Sequence, residues 1–167
     1  GWFSGFPYAH PDPTLPAGIF NQQNELFKNR DVRWALALLI DIKAVSMASY
    51  RGAATISATG VPPTGTHPEY YHQPLEEWLK AFEVDTGKRK IKPYDPTIGK
   101  QIADMLRPSM GDQIPKDPAE IAKAFGRGWW KPDPQAAQEL LERAGFKKQG
   151  GKWMTPDGKA FSIKITV

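Results

Sequence analysis

Apolar residues recur at helical spacing in several stretches of the chain. Val32, Ala35, Leu36, Leu39 and Ile40 follow an i, i+3, i+4, i+7, i+8 pattern, which predicts an amphipathic helix with one buried side. Asn29 or Asp31 is placed to cap its start. Asp41 is the expected cap of a second helix, Ile42 to Tyr50, with Gly52 as its stop. Pro74 opens a third, whose inward stripe is Leu75, Trp78, Leu79 and Phe82. Asp95, Asp117 and Asp133 each precede a proline, a cap followed by a first-turn residue that needs no N–H partner. These steps predict helices from Thr97 to Leu106, ended by Pro108; from Pro118 to Phe125; and from Pro134, with Ala137, Leu140, Leu141 and Ala144 on one face and Gly145 beyond it.

Strand signals sit at both ends. Leu15 to Gln22, with Ile19, reads as a strand. The tail alternates from Lys147 onward, with turns at Gly150-Gly151 and Pro156-Asp157-Gly158, and with Phe161, Ile163 and Ile165 on one side. Ala53 to Pro63 is extended, and Asn24 to Asn29 and residues 85–92 are loops. The fold class is therefore mixed α/β, one domain over residues 1–167. The helices starting near Asp31 and Asp133 are expected to pack on a mixed sheet holding the strands at Ile19 and at Phe161 to Thr166. Leu36, Leu39, Leu140, Leu141, Ile163 and Ile165 are the expected core, with Trp34 and Trp78 beside them.

Composition narrows the chemistry. The 167 residues include no cysteine, which excludes disulfides, zinc-thiolate sites and thiol catalysis. No apolar run reaches the length of a membrane span; the best, Trp34 to Ile42, is broken by Asp41. The net charge of +4 is not gathered on one face, and the cluster Lys88 to Lys92 reads as a solvated loop, so nucleic acid is not an expected partner. Position 1 is Gly with no signal peptide before it, and an apolar strand runs to the last residue. Both suggest a piece of a longer chain.

No catalytic constellation stands out. His67 and His72 flank Tyr70-Tyr71 in a Pro-rich stretch and read as solvated loop histidines rather than metal ligands. Gly126-Arg127-Gly128 lacks the spacing of a phosphate loop, and Ser4, Ser46 and Ser57 sit in no nucleophile elbow. The expectation is no metal, no cofactor and no enzyme activity. Trp129 and Trp130 are adjacent aromatics that suit either stacking on a sugar or peptide side chain or the cover of a domain contact.

Two stretches carry a family pattern. The first is Phe20-Asn21, then Phe27, Asp31-Val32-Arg33, Ala35-Leu36 and Ile40-Asp41. The second is Trp130-Lys131-Pro132-Asp133-Pro134, then Ala136-Ala137, Leu140-Leu141, Ala144-Gly145-Phe146 and the run Gly158 to Ile163. In order and spacing they resemble the extracytoplasmic solute-binding proteins of ABC transporters, the peptide/nickel-binding family. The usual Arg after the Ile-Asp pair is Ile42 here, which leaves the subfamily open. The resemblance implies part of the second lobe of a two-lobed trap, partnered by the remainder of its own chain and by membrane permeases. It implies a periplasmic protein that captures an oligopeptide, with an oligosaccharide or opine-like solute as the rival. From other classes, the alternatives are a small hydrolase or an aromatic interaction module. Loops at strand ends face the cleft in such lobes, so Asn21, Tyr50 and Arg51 are the candidate solute-binding residues.

Overall fold

The fold is that of a computed structural model, which describes residues 17–166; the Gly-, Pro- and aromatic-rich start, with Trp2 and Ser4, lies outside them. In chain order the helices are α1 (Glu25–Lys28), α2 (Arg30–Ala37), α3 (Ile42–Tyr50), α4 (Gln73–Ala81), α5 (Ile98–Met110), α6 (Pro118–Phe125) and α7 (Pro134–Arg143). The strands are β1 (Val84–Asp85), β2 (Lys90–Ile91), β3 (Tyr94–Asp95), β4 (Trp129–Trp130), β5 (Lys147–Gln149) and β6 (Lys152–Met154). They pair antiparallel as β1–β2, β3–β4 and β5–β6. The class is mixed α and β, as expected, with the β part in these short ladders.

The chain divides into two compact units. Among the described residues, one comprises residues 17–18, Ile40–Phe82 and Lys92–Lys131; the other comprises Ile19–Leu39, Glu83–Ile91 and residues 132–166.

The first unit is built on α5. Ile98, Ile102, Ala103 and Leu106 cluster with Ile56, Ile114, Ile121 and Phe125, and Ile42, Met47 and Trp129 pack at the margin. Asp41 caps α3 through hydrogen bonds from the Lys43 and Ala44 N–H groups at 3.0 and 3.3 Å. The left-handed turn that ends α3 begins at Arg51 (φ 50°), one residue before the expected Gly52. Pro108 does not end α5. It sits in the last turn, where its missing N–H forfeits a single bond, and the helix runs on to Met110. Arg107 then donates to the Ile114 and Pro115 carbonyls at 3.1 and 3.0 Å, tying down the chain beyond. A π-helical turn, Pro68–His72, leads into α4. That helix buries only Leu79: Leu75 is exposed and Trp78 is 57% exposed, so Trp78 is not core. Trp34, in the other unit, is half-buried.

Glycines let three stretches of this unit touch backbone to backbone. A Cβ on Gly99 would overlap the Gly126 carbonyl, and one on Gly126 (φ 89°) would overlap the Ile56 carbonyl. A Cβ on Gly128 would fall 2.5 Å from the Asp95 carbonyl and 2.6 Å from the Tyr94 ring. Ile56 bridges Gly126 in parallel, its N–H bonding the Phe125 carbonyl at 3.2 Å.

In the second unit α2 and α7 pack on each other rather than on a sheet. Val32 and Ala35 are buried on one, and Ala136, Ala137, Leu140 and Leu141 on the other. Asn29 caps α2 and Asp133 caps α7. Because α2 stops at Ala37, the apolar phase shifts. Leu38 turns inward and its carbonyl accepts the Asp133 N–H at 2.9 Å, while Leu36 is half-buried and Leu39 and Ile40 are exposed. Asn24 to Asn29, expected as loop, holds α1, capped by Asn24. Residues 85–92 contribute the β1–β2 hairpin, with Val84, Thr86 and Ile91 buried. Arg89 at its turn is engaged, not solvated: Nη2 reaches the Asp133 carboxylate at 3.0 Å and Nε reaches Glu139 at 3.2 Å. Hydrogen bonding from Thr86 and the charge of Arg89 hold the Glu139 carboxyl below its ordinary range, against its burial. Arg143 grips Asp31 with both Nε and Nη2, at 2.7 and 2.5 Å.

The end strands are absent among the described residues. Ile19 is 91% exposed and residues 17–22 form no ladder. The tail turns at Thr155 to Lys159 and touches β6 through Phe161, whose ring meets Phe146 edge-on at 5.0 Å. Beyond it Ile163 is exposed and Ile165 is 81% exposed. Alternation creates a buried face only where a neighbouring strand or helix supplies the opposite surface.

Leu140, fully buried in α7, should cost about 2–5 kcal/mol when cut to Ala, while Ile165→Ala should stay within about 0.5 kcal/mol; urea denaturation distinguishes them. Arg89→Leu strands Glu139 without its cation and should lower the melting midpoint. Lys88→Ala removes only the exposed pair with Glu142 and should leave the midpoint unchanged in the same calorimetric scan.

Candidate functional site

A cleft of about 320 Å3 opens in the first unit. Its walls come from the loop Ile56 to Thr59, the π-helical turn, Leu79 of α4, Tyr94 of β3, the Glu120–Lys123 side of α6 and the segment Gly126 to Gly128. The glycine contacts position these walls, since Gly126 and Gly128 bring their segment against Ile56 and Tyr94. Ser57 Oγ accepts the Thr59 N–H at 3.2 Å and lies within hydrogen-bond reach of the Thr59 and Val61 carbonyls, so its hydroxyl shapes its own loop.

Arg127 is held by Glu76, Nη1 to Oε2 at 3.1 Å, and Lys80 takes the other Glu76 oxygen at 3.1 Å. Burial, with the Glu76 charge, pushes the Tyr94 phenol above its usual pKa. On β3, burial works against the Asp95 carboxylate, but hydrogen bonds from the Thr97 hydroxyl and N–H and from Gln101, with the charge of Lys131, hold its pKa below the usual range. Glu120 and Lys123 stand exposed, and among the described residues neither forms an ion pair.

His72 is one of the buried residues lining the cleft, 8% exposed, where a solvated loop histidine was expected. Burial lowers its pKa; hydrogen bonds to the Pro62 and Val61 carbonyls push back, and the charges of Arg127 and His67 lower it further. Its Nε2 has no hydrogen-bond partner within the protein. His67 bonds the Pro62 carbonyl through Nδ1 at 3.0 Å. Among the described residues no serine or threonine hydroxyl bonds either imidazole, and no group of three or more His, Asp or Glu side chains could hold a metal ion. The cleft lining mixes apolar side chains, Ile56, Pro63 and Leu79, with polar ones, Ser57, Thr59 and Gln73.

The sequence-derived candidates lie elsewhere. Asn21, in the second unit, is exposed; it starts a turn rather than ending a strand, with Oδ1 accepting the Gln23 N–H at 3.0 Å. Tyr50 and Arg51, at the end of α3 in the first unit, are exposed. Trp129 and Trp130 form β4 opposite Asp95 and Tyr94. Trp129 packs at the core margin, and Trp130 meets the rings of Tyr94 and Phe82 at 6.0 and 6.3 Å. Sequence reasoning missed His72, Tyr94 and Arg127 as a set. Arg127 and Glu76 are 51 positions apart, and no local spacing marks such a pair.

The neutral His72 ring carries a pH signature. The unfolded chain takes up its proton at the ordinary imidazole pKa, the folded chain only at a lower one. The stability from keeping the ring neutral is therefore complete above about pH 6.5 and is lost as pH falls toward the folded value. The melting midpoint should fall on acidification from neutral pH, and His72→Phe should flatten that part of the profile.

No helix among the described residues is long and apolar enough to cross a membrane. The family model described as bacterial extracellular solute-binding proteins, family 5 Middle, matches residues 8–167. No curated protein and no solved structure matches the chain.

Proposed function

The chain belongs to the bacterial extracellular solute-binding proteins of family 5, and from that membership we propose that it serves an ABC transporter by capturing an oligopeptide in the periplasm and passing it to the membrane permease. The observation that carries this reading is the match over residues 8–167, nearly the whole chain. In this reading the chain is part of the second lobe of a trap that closes on its solute by hinge motion, without chemical turnover. Asn21, Tyr50 and Arg51 are proposed solute contacts: all three are exposed, and the Arg51 cation suits a peptide carboxylate. An oligosaccharide is the second reading, favoured by Tyr70, Tyr71 and Trp78, whose exposed rings can stack on sugar faces.

A two-lobed trap buries solute on both sides, so one lobe supplies about half the contacts. Half of a micromolar binding energy is about 4 kcal/mol, a millimolar affinity. Calorimetry of the 167-residue chain against a mixed peptide pool and an oligosaccharide pool should give binding no tighter than about millimolar. The two-lobed protein should bind the peptide pool at micromolar affinity. Micromolar binding of oligosaccharide without peptide would overturn the peptide assignment, and micromolar binding by this chain alone would overturn the lobe assignment.

A further inference from the structure

We propose that the β5–β6 hairpin is a contact site for an anionic phospholipid surface, its lysines taking up headgroup phosphates. The inference goes beyond solute capture and starts from charge and shape. Of the chain's 22 Lys and Arg and 18 Asp and Glu, twelve and eight fall in the second unit. The whole net charge of +4, expected from the sequence to be spread, therefore sits in that unit. Each of those eight carboxylates already has a cation within 4.0 Å. Among the described residues Lys147, Lys148, Lys152 and Lys164 form no ion pair. The unit has no carboxylate left over for them, so their counter-charge comes from solution or from a partner.

Three of these lysines stand on a projecting ribbon. Gly150 and Gly151 make its turn at φ 54° and 81°, the left-handed pair that a tight two-residue hairpin needs. A Cβ on either would meet nothing within 4 Å, so the tip stands clear of the protein. Residues 147–152 are all exposed. The base is fixed by buried Phe146, whose ring meets Phe161, and by the Phe161 N–H, which bonds the Trp153 carbonyl at 2.7 Å. The register sets Lys148 opposite Trp153 and Gln149 opposite Lys152. Alternation then puts Lys147 and Lys152 on one face of the ribbon and Lys148 on the other. Cations that diverge in this way converge on no single anion, and a flat acidic patch of a folded protein meets one face only. A fluid layer of headgroups, negative throughout, closes round a narrow tip and meets both. Half-buried Trp153, across from Lys148, adds the amphipathic ring that favours such an interface. A chain of an extracellular family that serves a membrane transporter works beside a surface of this kind.

The test is flotation of the 167-residue chain with vesicles of two parts phosphatidylcholine to one part phosphatidylglycerol, against vesicles of phosphatidylcholine alone. Binding to the mixed vesicles only, released as salt screens the lysines, is the expected result. Lys147→Gln, Lys148→Gln and Lys152→Gln combined should weaken it about a hundredfold, at roughly fivefold per lysine. These side chains are exposed and outside any ion pair, so the melting midpoint of that variant should not move. Lys92→Gln, Lys100→Gln and Lys116→Gln combined remove the same charge from the first unit and should weaken binding by less than about threefold. Because the chain has no cysteine, Gln149→Cys supplies one thiol for an environment-sensitive dye beside the tip, whose emission should move to the blue with the mixed vesicles alone. Equal losses in the two triple variants would mean that net charge rather than the hairpin draws the chain to lipid, and would overturn the site. So would no binding to the mixed vesicles at low salt, or a dye that stays in water while the chain floats. Tighter binding to soluble polyglutamate than to vesicles would overturn it in favour of an acidic protein partner. None of these outcomes bears on solute capture, which the calorimetry decides separately.

Discussion

Backbone touches backbone in the first unit with no room for a side chain between. Gly99, at the start of α5, lies on the carbonyl of Gly126, and Gly126 lies on that of Ile56. These contacts draw together the end of α6, the start of α5 and the extended stretch after α3, so that Ile56, Ile98 and Phe125 share one core. The cleft follows from the same approach. Its walls carry Tyr94, Arg127 and His72 because Gly126 and Gly128 let their segment run close enough to Ile56 and β3. Larger residues at these positions would push the walls apart before they altered any polar group.

The second unit solves its packing differently. Alanines on α2 and α7 let the two helices meet closely, and charge fixes their ends: Asp31 with Arg143, and Arg89 with Asp133 and Glu139. Asp133 is at once helix cap, acceptor for Arg89 and, through its N–H, partner of the Leu38 carbonyl. One residue thereby links α7, the β1–β2 hairpin and the end of α2. The family-pattern residues Asp31 and Asp133 are thus fasteners of this unit.

What could be read in the sequence was local. Asn29, Asp41, Asp117 and Asp133 each bond to their own next turn, so each cap is written within four residues and each helix start was legible. The family pattern was legible for the same reason, being a string of such starts and stripes. Leu38 replaced Leu39 in the core because a distant N–H, that of Asp133, accompanies the end of α2. Ile19 and Ile165 have strand-like side chains, but a ladder needs a partner that composition does not specify. The cleft was the least legible part. Its residues come from four separated stretches, and His72 is buried by tertiary packing in a segment whose prolines and tyrosines read as loop.

Each unit is discontinuous in sequence, the chain passing from one to the other at Leu39–Ile40, Phe82–Glu83, Ile91–Lys92 and Lys131–Pro132. During synthesis this imposes a schedule. The described part of the first unit is complete once Lys131 has left the ribosome, whereas α2 emerges early and waits for α7. Arg143 follows Asp31 by 112 residues, a delay of roughly 5–20 s at ordinary translation speeds. Through that interval Val32, Ala35 and Leu38 lack the apolar surface that buries them in the folded unit.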